Sequence, residues 1–351
     1  MDDLHREYIS CKPWTTAHDP ARMLIVRFHA LGDVAITLPS CSGLRNRFPA
    51  SRIDFLTDEV SAALPSSLDL FDNIHTLLTA QNRWSRLQSA VRKGIELRRE
   101  NYDVVFDLQR NRVSRLVRVL ASPKSWTEFD RFSPIPAGVR VQQTIERTGF
   151  KDLIPRYPLR LKRDLRARAQ AMLMENGWDG MQALVVLNPA GFVESRNWPL
   201  ENYVRLAELI VRDNGKILVL GTGRLHSKAA YLQKELGPHL INLAGKTTLA
   251  EAFALLQFAS CVISEDSGLM HMAWVSAIPT LAMLGSTRHD WTMPLGPWSR
   301  CLHSGDLECG DCNQPLCRFG DVHCLTRYTP EFVFREFRKL LAHVPPRAVP
   351  S

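Results

Sequence analysis

Residues 23–39 read MLIVRFHALGDVAITLP, and the fold turns on how this stretch is parsed. The apolar run Met23, Leu24, Ile25 and Val26 suits a strand buried on both faces, as in a parallel sheet. Arg27 and a turn ending Leu31-Gly32-Asp33 follow. Val34, Ile36 and Leu38 then start a new apolar pattern that predicts a helix. A carboxylate one residue beyond a glycine, at the carboxyl end of a first parallel strand, sits where open α/β sheets place their ligands. Asp33 is therefore the candidate chemical centre.

The strand–helix alternation continues outward. Residues 52–57 (RIDFLT), 74–78 and 102–109 (YDVVFDLQ) predict strands, residues 84–100 a basic amphipathic helix, and a further helix carries Arg110, Arg112, Arg115 and Arg118. Residues 1–20, polar and with two prolines, read as a loose arm. Residues 129–161, rich in proline and charge, read as a late element followed by a linker. The rhythm restarts with a helix over 163–176. Strands at 183–188, 216–221, 240–243, 261–264 and 279–284 follow, with helices between them, and Phe332, Phe334, Phe337, Leu340 and Leu341 mark a closing helix. Two βα series predict two doubly wound α/β domains with a cleft between them, over 21–160 and 161–327, with the closing helix at 328–345.

At 351 residues the chain exceeds what one core usually supports. Its 45% hydrophobic and 23% charged residues are ordinary for a globular protein. Forty-four Lys+Arg against 36 Asp+Glu give a net charge of +8, which suits an anionic partner without choosing among phosphorylated lipid, nucleotide and nucleic acid. No apolar stretch approaches the roughly 18 residues of a membrane helix. The polar start MDDLHREYIS is no secretory signal. These features predict a cytoplasmic protein, at most peripheral to a membrane.

Three loops of the second series carry candidate chemistry. Residues 188–199 (NPAGFVESRNWP) bring small residues, Arg196 and a Trp-Pro stop before a helix. Arg196 there is either a partner for a diphosphate or a surface cation near a helix start. The GTG at 221–223 has His226 where G-x-G-x-x-G needs its third glycine, so it reads as a left-handed turn. Residues 264–271 (SEDSGLMH) put Asp266, Ser267 and Gly268 at a helix entry, which is either an anion site or an ordinary N-cap. The adjacent Glu265 and the following His271 favour the anion site. Among eight cysteines, Cys261 fits a core thiol, whereas Cys309, Cys312, Cys317 and Cys324 are spaced C-x2-C-x4-C-x6-C. In a chain without a secretory leader that pattern favours metal or reduced thiols over disulfides. It reads as a reduced, metal-free loop or as a structural metal site to which His323 lends a ligand.

Four segments together resemble glycosyltransferase family 9, the ADP-heptose:lipopolysaccharide heptosyltransferases. They are RFHALGDVAITLP at 27–39, DLQ at 107–109, RNWP at 196–199, and EDSGLMH through AIPTLAMLGST at 265–287. The resemblance implies a GT-B fold, two Rossmann-like domains facing across a cleft, with the nucleotide sugar on the second and the acceptor on the first. It makes Asp33 the catalytic base. Arg196 stands where the family usually has lysine, contacting the donor diphosphate. Asp266, Ser267, Gly268 and His271 match its nucleotide-sugar loop, with serine where threonine is common. Gln109 and Arg110 fall on the acceptor side, Arg110 where glycine is usual. The acid that many relatives carry after the strand ending near Gly221 is absent from GTGRLHSK.

The implied reaction is inverting transfer of a heptose or related sugar from an ADP-sugar to a hydroxyl of a lipopolysaccharide core acceptor. The implied partners are a nucleotide-sugar donor and a phosphorylated lipid or oligosaccharide acceptor at the inner membrane surface, with no nucleic acid. No cofactor and no catalytic metal are expected, and the cysteine cluster, common in the family, is the place for a structural metal. The alternatives are a protein (autotransporter) acceptor on the same fold, or a non-catalytic nucleotide-sugar-binding scaffold. The intact Asp33 and 265–271 loop argue against the scaffold.

Overall fold

The computed structural model describes residues 9–78, 82–191 and 193–344. The chain divides into two compact units, Met1–Leu159 and Arg160–Ser351. In unit 1 the strands are β1 (Cys11–Lys12), β2 (Arg22–Val26), β3 (Arg52–Asp58), β4 (Asn73–Leu77), β5 (Val104–Asp107) and β6 (Ser125–Glu128), in sheet order β1-β6-β5-β2-β3-β4. All neighbours are parallel except β1 on β6. Met23, Leu24, Ile25 and Val26 are fully buried between β3 and β5, as a double-faced strand requires. Helices α1 (Leu31–Arg47), α2 (Ala63–Ser66), α3 (Arg83–Arg98), α4 (Arg112–Ala121) and α5 (Ala137–Glu146) complete the unit.

Three sequence readings change here. Helix α1 begins earlier than the turn reading allowed, so Leu31, Gly32 and Asp33 form its first turn. A carboxylate at that position complements the helix dipole. The expected loose arm is partly structured: β1 closes the sheet edge, and the Ser125 hydroxyl donates to the Lys12 carbonyl at 2.6 Å. Its residues 1–8 lie outside the described residues. Residues 129–161 hold α5, packed on α1 through the buried Val141 and Ile145. Helix α5 is the expected late element, and Leu153 and Leu159 are buried too, so the part read as a linker also contributes side chains to the core.

Unit 2 repeats the plan. Its strands are β7 (Ala183–Asn188), β8 (Gly215–Val219), β9 (Leu240–Asn242), β10 (Cys261–Glu265), β11 (Thr280–Met283) and β12 (Ser299–Leu302). All are parallel, in order β12-β11-β10-β7-β8-β9. Helices α6 (Arg163–Glu175), α7 (Leu200–Arg212), α8 (His226–Leu236), α9 (Leu249–Leu256), α10 (Gly268–Val275), α11 (His289–Thr292), α12 (His323–Thr326) and α13 (Pro330–His343) surround it, α13 lying on α7. In each unit the winding direction reverses once, between β2 and β5 and between β7 and β10, and doubly wound sheets bind ligands at such switch points.

Candidate active site

At the switch point of unit 1, Asp33 is held by its own loop. The Arg27 guanidinium lies 2.7 Å from Asp33 Oδ2, and the Ala30 backbone N–H donates to the same oxygen at 3.1 Å. Among the described residues both bonds fall on Oδ2, and the carboxylate side chain keeps 39% of its surface exposed. Arg27 itself is buried. Its other arm donates to the Leu108 carbonyl across the switch point, and the guanidinium lies 5.0 Å from the centre of the Phe129 ring. A buried arginine thus presents a half-exposed acid. Arg27 is the residue that sequence reasoning left without a role; its place straight after a buried strand, six residues before Asp33, was the available signal.

The acceptor-side residues follow β5. Gln109 accepts the Phe28 N–H through Oε1 at 3.0 Å, tying its loop to the segment leading to Asp33. Arg110 adopts a left-handed conformation (φ 46°), and its backbone N–H donates to Asp107 at 2.8 Å. Its side chain turns to Glu128, 3.7 Å away, and toward the Phe129 carbonyl. Arg118 is buried between Asp107 (3.8 Å) and Glu128, over the Trp126 ring at 3.7 Å. Burial pushes the Asp107 carboxyl up, opposed by the Arg110 N–H, the Ser114 hydroxyl and the Arg118 guanidinium. Arg118 is therefore a fixture of the β5–β6 floor and not a cation offered to an acceptor. Arg115 also reaches Glu128, at 3.6 Å, but is mostly exposed.

At the switch point of unit 2, Arg196 and Asp266 are brought together across the sheet end. Arg196 closes a 3-10 turn (Glu194–Arg196) after β7, and Asp266 follows β10. The guanidinium donates to Asp266 Oδ2 at 3.0 Å and to Asn313 Oδ1 at 2.7 Å, while Thr287 donates to the same Asp266 oxygen at 2.9 Å. Ser267 is the N-cap of α10, accepting from the Met270 N–H at 3.1 Å, so the capping role holds. The Asn188 amide donates to both Ser264 and Ser267, at 2.9 and 2.8 Å, and binds the ends of β7 and β10 together. Gly268 opens α10. His271, buried on its first turn, accepts the Trp274 indole N–H at Nδ1 (3.0 Å), which leaves the proton of a neutral ring on Nε2.

Beneath this loop lie two further groups, Glu265, named above only as favouring an anion site, and Lys228, which no motif singled out. Glu265 is fully buried and accepts the Gly191 N–H at 2.5 Å and the Trp198 N–H at 2.6 Å. Burial pushes its carboxyl up to about 7 against the pull of the Lys228 ammonium and those N–H donors. Lys228, on α8, donates to the Pro189 carbonyl at 2.8 Å and to Asn197 Oδ1 at 2.6 Å. The pair cinches the 189–198 loop from below. Only glycine fits at 191, since a Cβ there would come within 2.3 Å of the Arg196 carbonyl oxygen. Phe192 of this loop lies outside the described residues. Gly221 takes a positive φ of +148°, well outside the αL range of the expected turn, and accepts the Gly245 N–H, and a 3-10 helix (Gly223–Leu225) follows it.

The cysteine loop is strapped to the same cradle. Asn313 donates its N–H to the Ser286 carbonyl at 2.7 Å and holds Arg196 with its side chain. The Ser195 hydroxyl donates to the Gln314 carbonyl at 2.5 Å. Cys309, Cys312, Cys317, Cys324 and His323 line one cavity of about 330 Å3. Cys309 Sγ is 3.2 Å from His323 Nε2, and ligand atoms of Cys317, Asp321 and His323 lie within 4.8 Å of one another. Burial, followed by the charges of the other three thiols, pushes Cys324 up to about 11.

Residues 142–323 match the profile of glycosyltransferase family 9 (heptosyltransferase). The chain belongs to glycosyltransferase family 9. Arg196, Asp266, Ser267, Gly268 and His271 fall inside the matched segment, and Asp33, Gln109 and Arg110 precede it. Heptosyltransferase relatives match more of the chain than that segment. The chain is 24% identical over 328 residues to lipooligosaccharide heptosyltransferase 2 of Campylobacter jejuni, covering 88% of this chain and 96% of that one. It is 26% identical over 290 residues to lipopolysaccharide heptosyltransferase 1 of Escherichia coli, covering 76% and 88%. Among solved structures, a family 9 glycosyl transferase from Veillonella parvula superimposes with a TM-score of 0.82 at 18% identity, covering 92% of this chain and 98% of its own. ADP-heptose lps heptosyltransferase II of E. coli gives 0.73 at 19%, with the same coverage. The two α/β units are thus the GT-B fold of family 9, and the protein is a glycosyltransferase.

Proposed function

We propose that this glycosyltransferase moves a heptose from ADP-heptose to a hydroxyl of a lipopolysaccharide core acceptor, with inversion at the anomeric carbon. One observation carries the choice of base: Asp33 is a half-exposed carboxylate with one oxygen pinned by Arg27 and Ala30. In the reaction it takes the proton of the acceptor hydroxyl. The acceptor oxygen attacks the anomeric carbon, and the bond from that carbon to the diphosphate oxygen breaks, releasing ADP. A base in this role works within hydrogen-bond reach of the hydroxyl, directly or through one water. Arg196 and the N–H groups at the start of α10 meet the departing diphosphate, since a helix N-terminus and a fixed cation both favour developing negative charge. A guanidinium has five N–H donors, so Asp266 and Asn313 orient Arg196 without exhausting it. Ser267, Gly268 and His271 complete the donor loop, and Gln109 and Arg110 border the acceptor side.

The cysteine loop fits a structural cation in the same reading. Thiolates and an imidazole around one cavity suit zinc or ferrous iron, held by Cys309, Cys312, Cys317 and Cys324, with His323 as a further ligand. Such an ion would fix the loop whose Asn313 orients Arg196. The test of the proposed function is release of the matching nucleoside diphosphate by the pure protein given ADP-heptose, UDP-sugars or GDP-sugars, with and without a lipid A–Kdo acceptor. ADP-heptose with acceptor is expected to give release. Release from another nucleotide sugar alone would overturn the donor assignment.

A further inference from the structure

Unit 1 carries an apolar rim at the sheet edge that bears Asp33. Val60 follows β3 and Leu78 follows β4, so both stand at the carboxyl edge of parallel strands, as does the loop after β2. They are 74% and 59% exposed, and Trp84 and Leu87, on the first turns of α3, are 76% and 41% exposed. Val91 and Ile95 continue the outer face of α3 at three- and four-residue spacing. This face is not a frayed end. The opposite side of α3 is clamped on α4, with Ala90 and Leu97 buried and Gly94 so close that a Cβ would lie 2.6 Å from Leu120 Cβ. Helix α3 therefore shows water a fixed apolar stripe, where a surface helix normally shows polar residues.

The flanks of the stripe are cationic. Arg92, Arg98 and Arg99 are exposed beside it, and the nearby acid Glu96 is engaged by Lys93 at 2.7 Å. An apolar stripe edged by arginines is the pattern of a helix lying in a membrane interface. A second copy of this chain suits it less well, since a two-fold contact through this face would oppose the same arginines. The rim is also coupled to the reaction end of the sheet. His29, in the loop before Asp33, is held below its usual range by burial and then by Arg86 of α3.

We propose that Val60, Leu78, Trp84, Leu87 and Ile95 seat on the surface of a bilayer rich in anionic lipid, with Arg92, Arg98 and Arg99 on the headgroup phosphates. Docking brings the Asp33 edge to an acceptor whose acyl chains stay in the membrane. This rests on the lipopolysaccharide acceptor proposed above. Sedimentation of the full chain with vesicles tests it, using phosphatidylethanolamine mixed with phosphatidylglycerol against phosphatidylcholine alone. The wild type is expected to pellet with the anionic vesicles, less so as salt rises, and weakly with phosphatidylcholine. Trp84→Asp with Leu87→Asp should weaken this by at least about tenfold. Arg92→Glu with Arg99→Glu should weaken it by on the order of twentyfold. Both variants should melt with the wild type, bind ADP equally, and turn over a de-acylated acceptor at the wild-type rate.

The proposal is overturned if the wild type stays in the supernatant or if the variants pellet equally well. It is also overturned if the wild type is a dimer that Trp84→Asp dissociates, because the rim then belongs to a second copy. Failure of the acceptor assignment would show separately, as no turnover of the de-acylated acceptor by the wild type.

Discussion

Each unit places an Arg–Asp ion pair at its switch point, and the two pairs are built in opposite senses. In unit 1 the arginine is the buried member and the acid faces out, pinned through one oxygen. In unit 2 both members are largely covered, and each has a second partner: Asn313 for Arg196, Thr287 for Asp266. The first arrangement leaves a half-exposed carboxylate whose position is fixed by a buried cation. The second leaves a cation whose plane is fixed by an acid and an amide. On the proposed function, equivalent places in two similar sheets are prepared for opposite charges, a proton in one and a diphosphate in the other. The same fold serves both because the loops, not the strands, carry the difference.

The most direct way to break this comparison is Asp33→Asn. Turnover should fall by about a hundred- to ten-thousand-fold, the usual cost of losing a general base. ADP affinity, measured calorimetrically, should not change. Near-normal turnover would remove Asp33 from its role and with it the contrast between the two pairs.

The second break concerns what lies under the loop of unit 2. The folded-state value of Glu265, about 7, lies above its ordinary value of 4.5. Between those values the folded chain keeps a proton that the unfolded chain has released. The contribution is therefore fully present below about 4.5, declines as pH rises, and is lost above about 7, by no more than about 3 kcal/mol in all. Glu265→Gln should flatten this slope in urea melts taken below, within and above that window. It should also weaken ADP binding, because an amide cannot accept from both the Gly191 and Trp198 N–H groups through two oxygens. An unchanged slope would mean that another group sets the fall in stability across this window.

How much of this was legible beforehand follows from where each signal lives. The β2, β7 and β10 strands announce themselves because burial on both faces demands uninterrupted apolar runs. The strand β6 (SWTE) and strand β12 (SRCL) lie further from the sheet centre and include polar residues that bond to neighbours, so periodicity had nothing to register. Asp33, Arg196 and Asp266 were visible as charged residues at strand ends. Their partners were not, since Arg27 with Leu108, Lys228 with Pro189, and Asn313 with Arg196 are contacts between residues 39 to 117 apart in sequence. The arginines of α4 show the converse failure. By residue type alone the arginines of this helix look like a solvent-facing cationic surface, but Arg118 is sealed between Asp107 and Glu128. Removing it as Arg118→Ala would leave two buried carboxylates and cost about 3–5 kcal/mol in urea melts, which a solvated helix face would not show.

A smaller effect is expected at the donor cation. Arg196→Ala should weaken ADP binding by about tenfold or somewhat more, the worth of one charge-assisted contact with a phosphate. The dependence of rate on acceptor concentration should stay as it was. If acceptor dependence moved and ADP affinity did not, Arg196 would belong to the other half of the reaction.

The finest discrimination comes from making the same exchange, Arg→Lys, at both switch points. Family 9 usually carries lysine at position 196, and a phosphate accepts a point charge nearly as well as a fork, so Arg196→Lys should change ADP affinity by no more than a few-fold. Position 27 asks for more. There one arm of the guanidinium reaches Asp33 and the other the Leu108 carbonyl, while its face lies over Phe129. An ammonium cannot serve both ends and the ring at once, so Asp33 would lose part of its anchoring while keeping a neighbouring positive charge. Arg27→Lys should lower kcat by several-fold to about tenfold and leave both KM values near the wild type, because the loss falls on the placement of the base. Equal tolerance at the two positions would mean that unit 1 needs only a nearby charge. Sensitivity at 27 with tolerance at 196 would show that one arginine is there for its shape and the other for its sign.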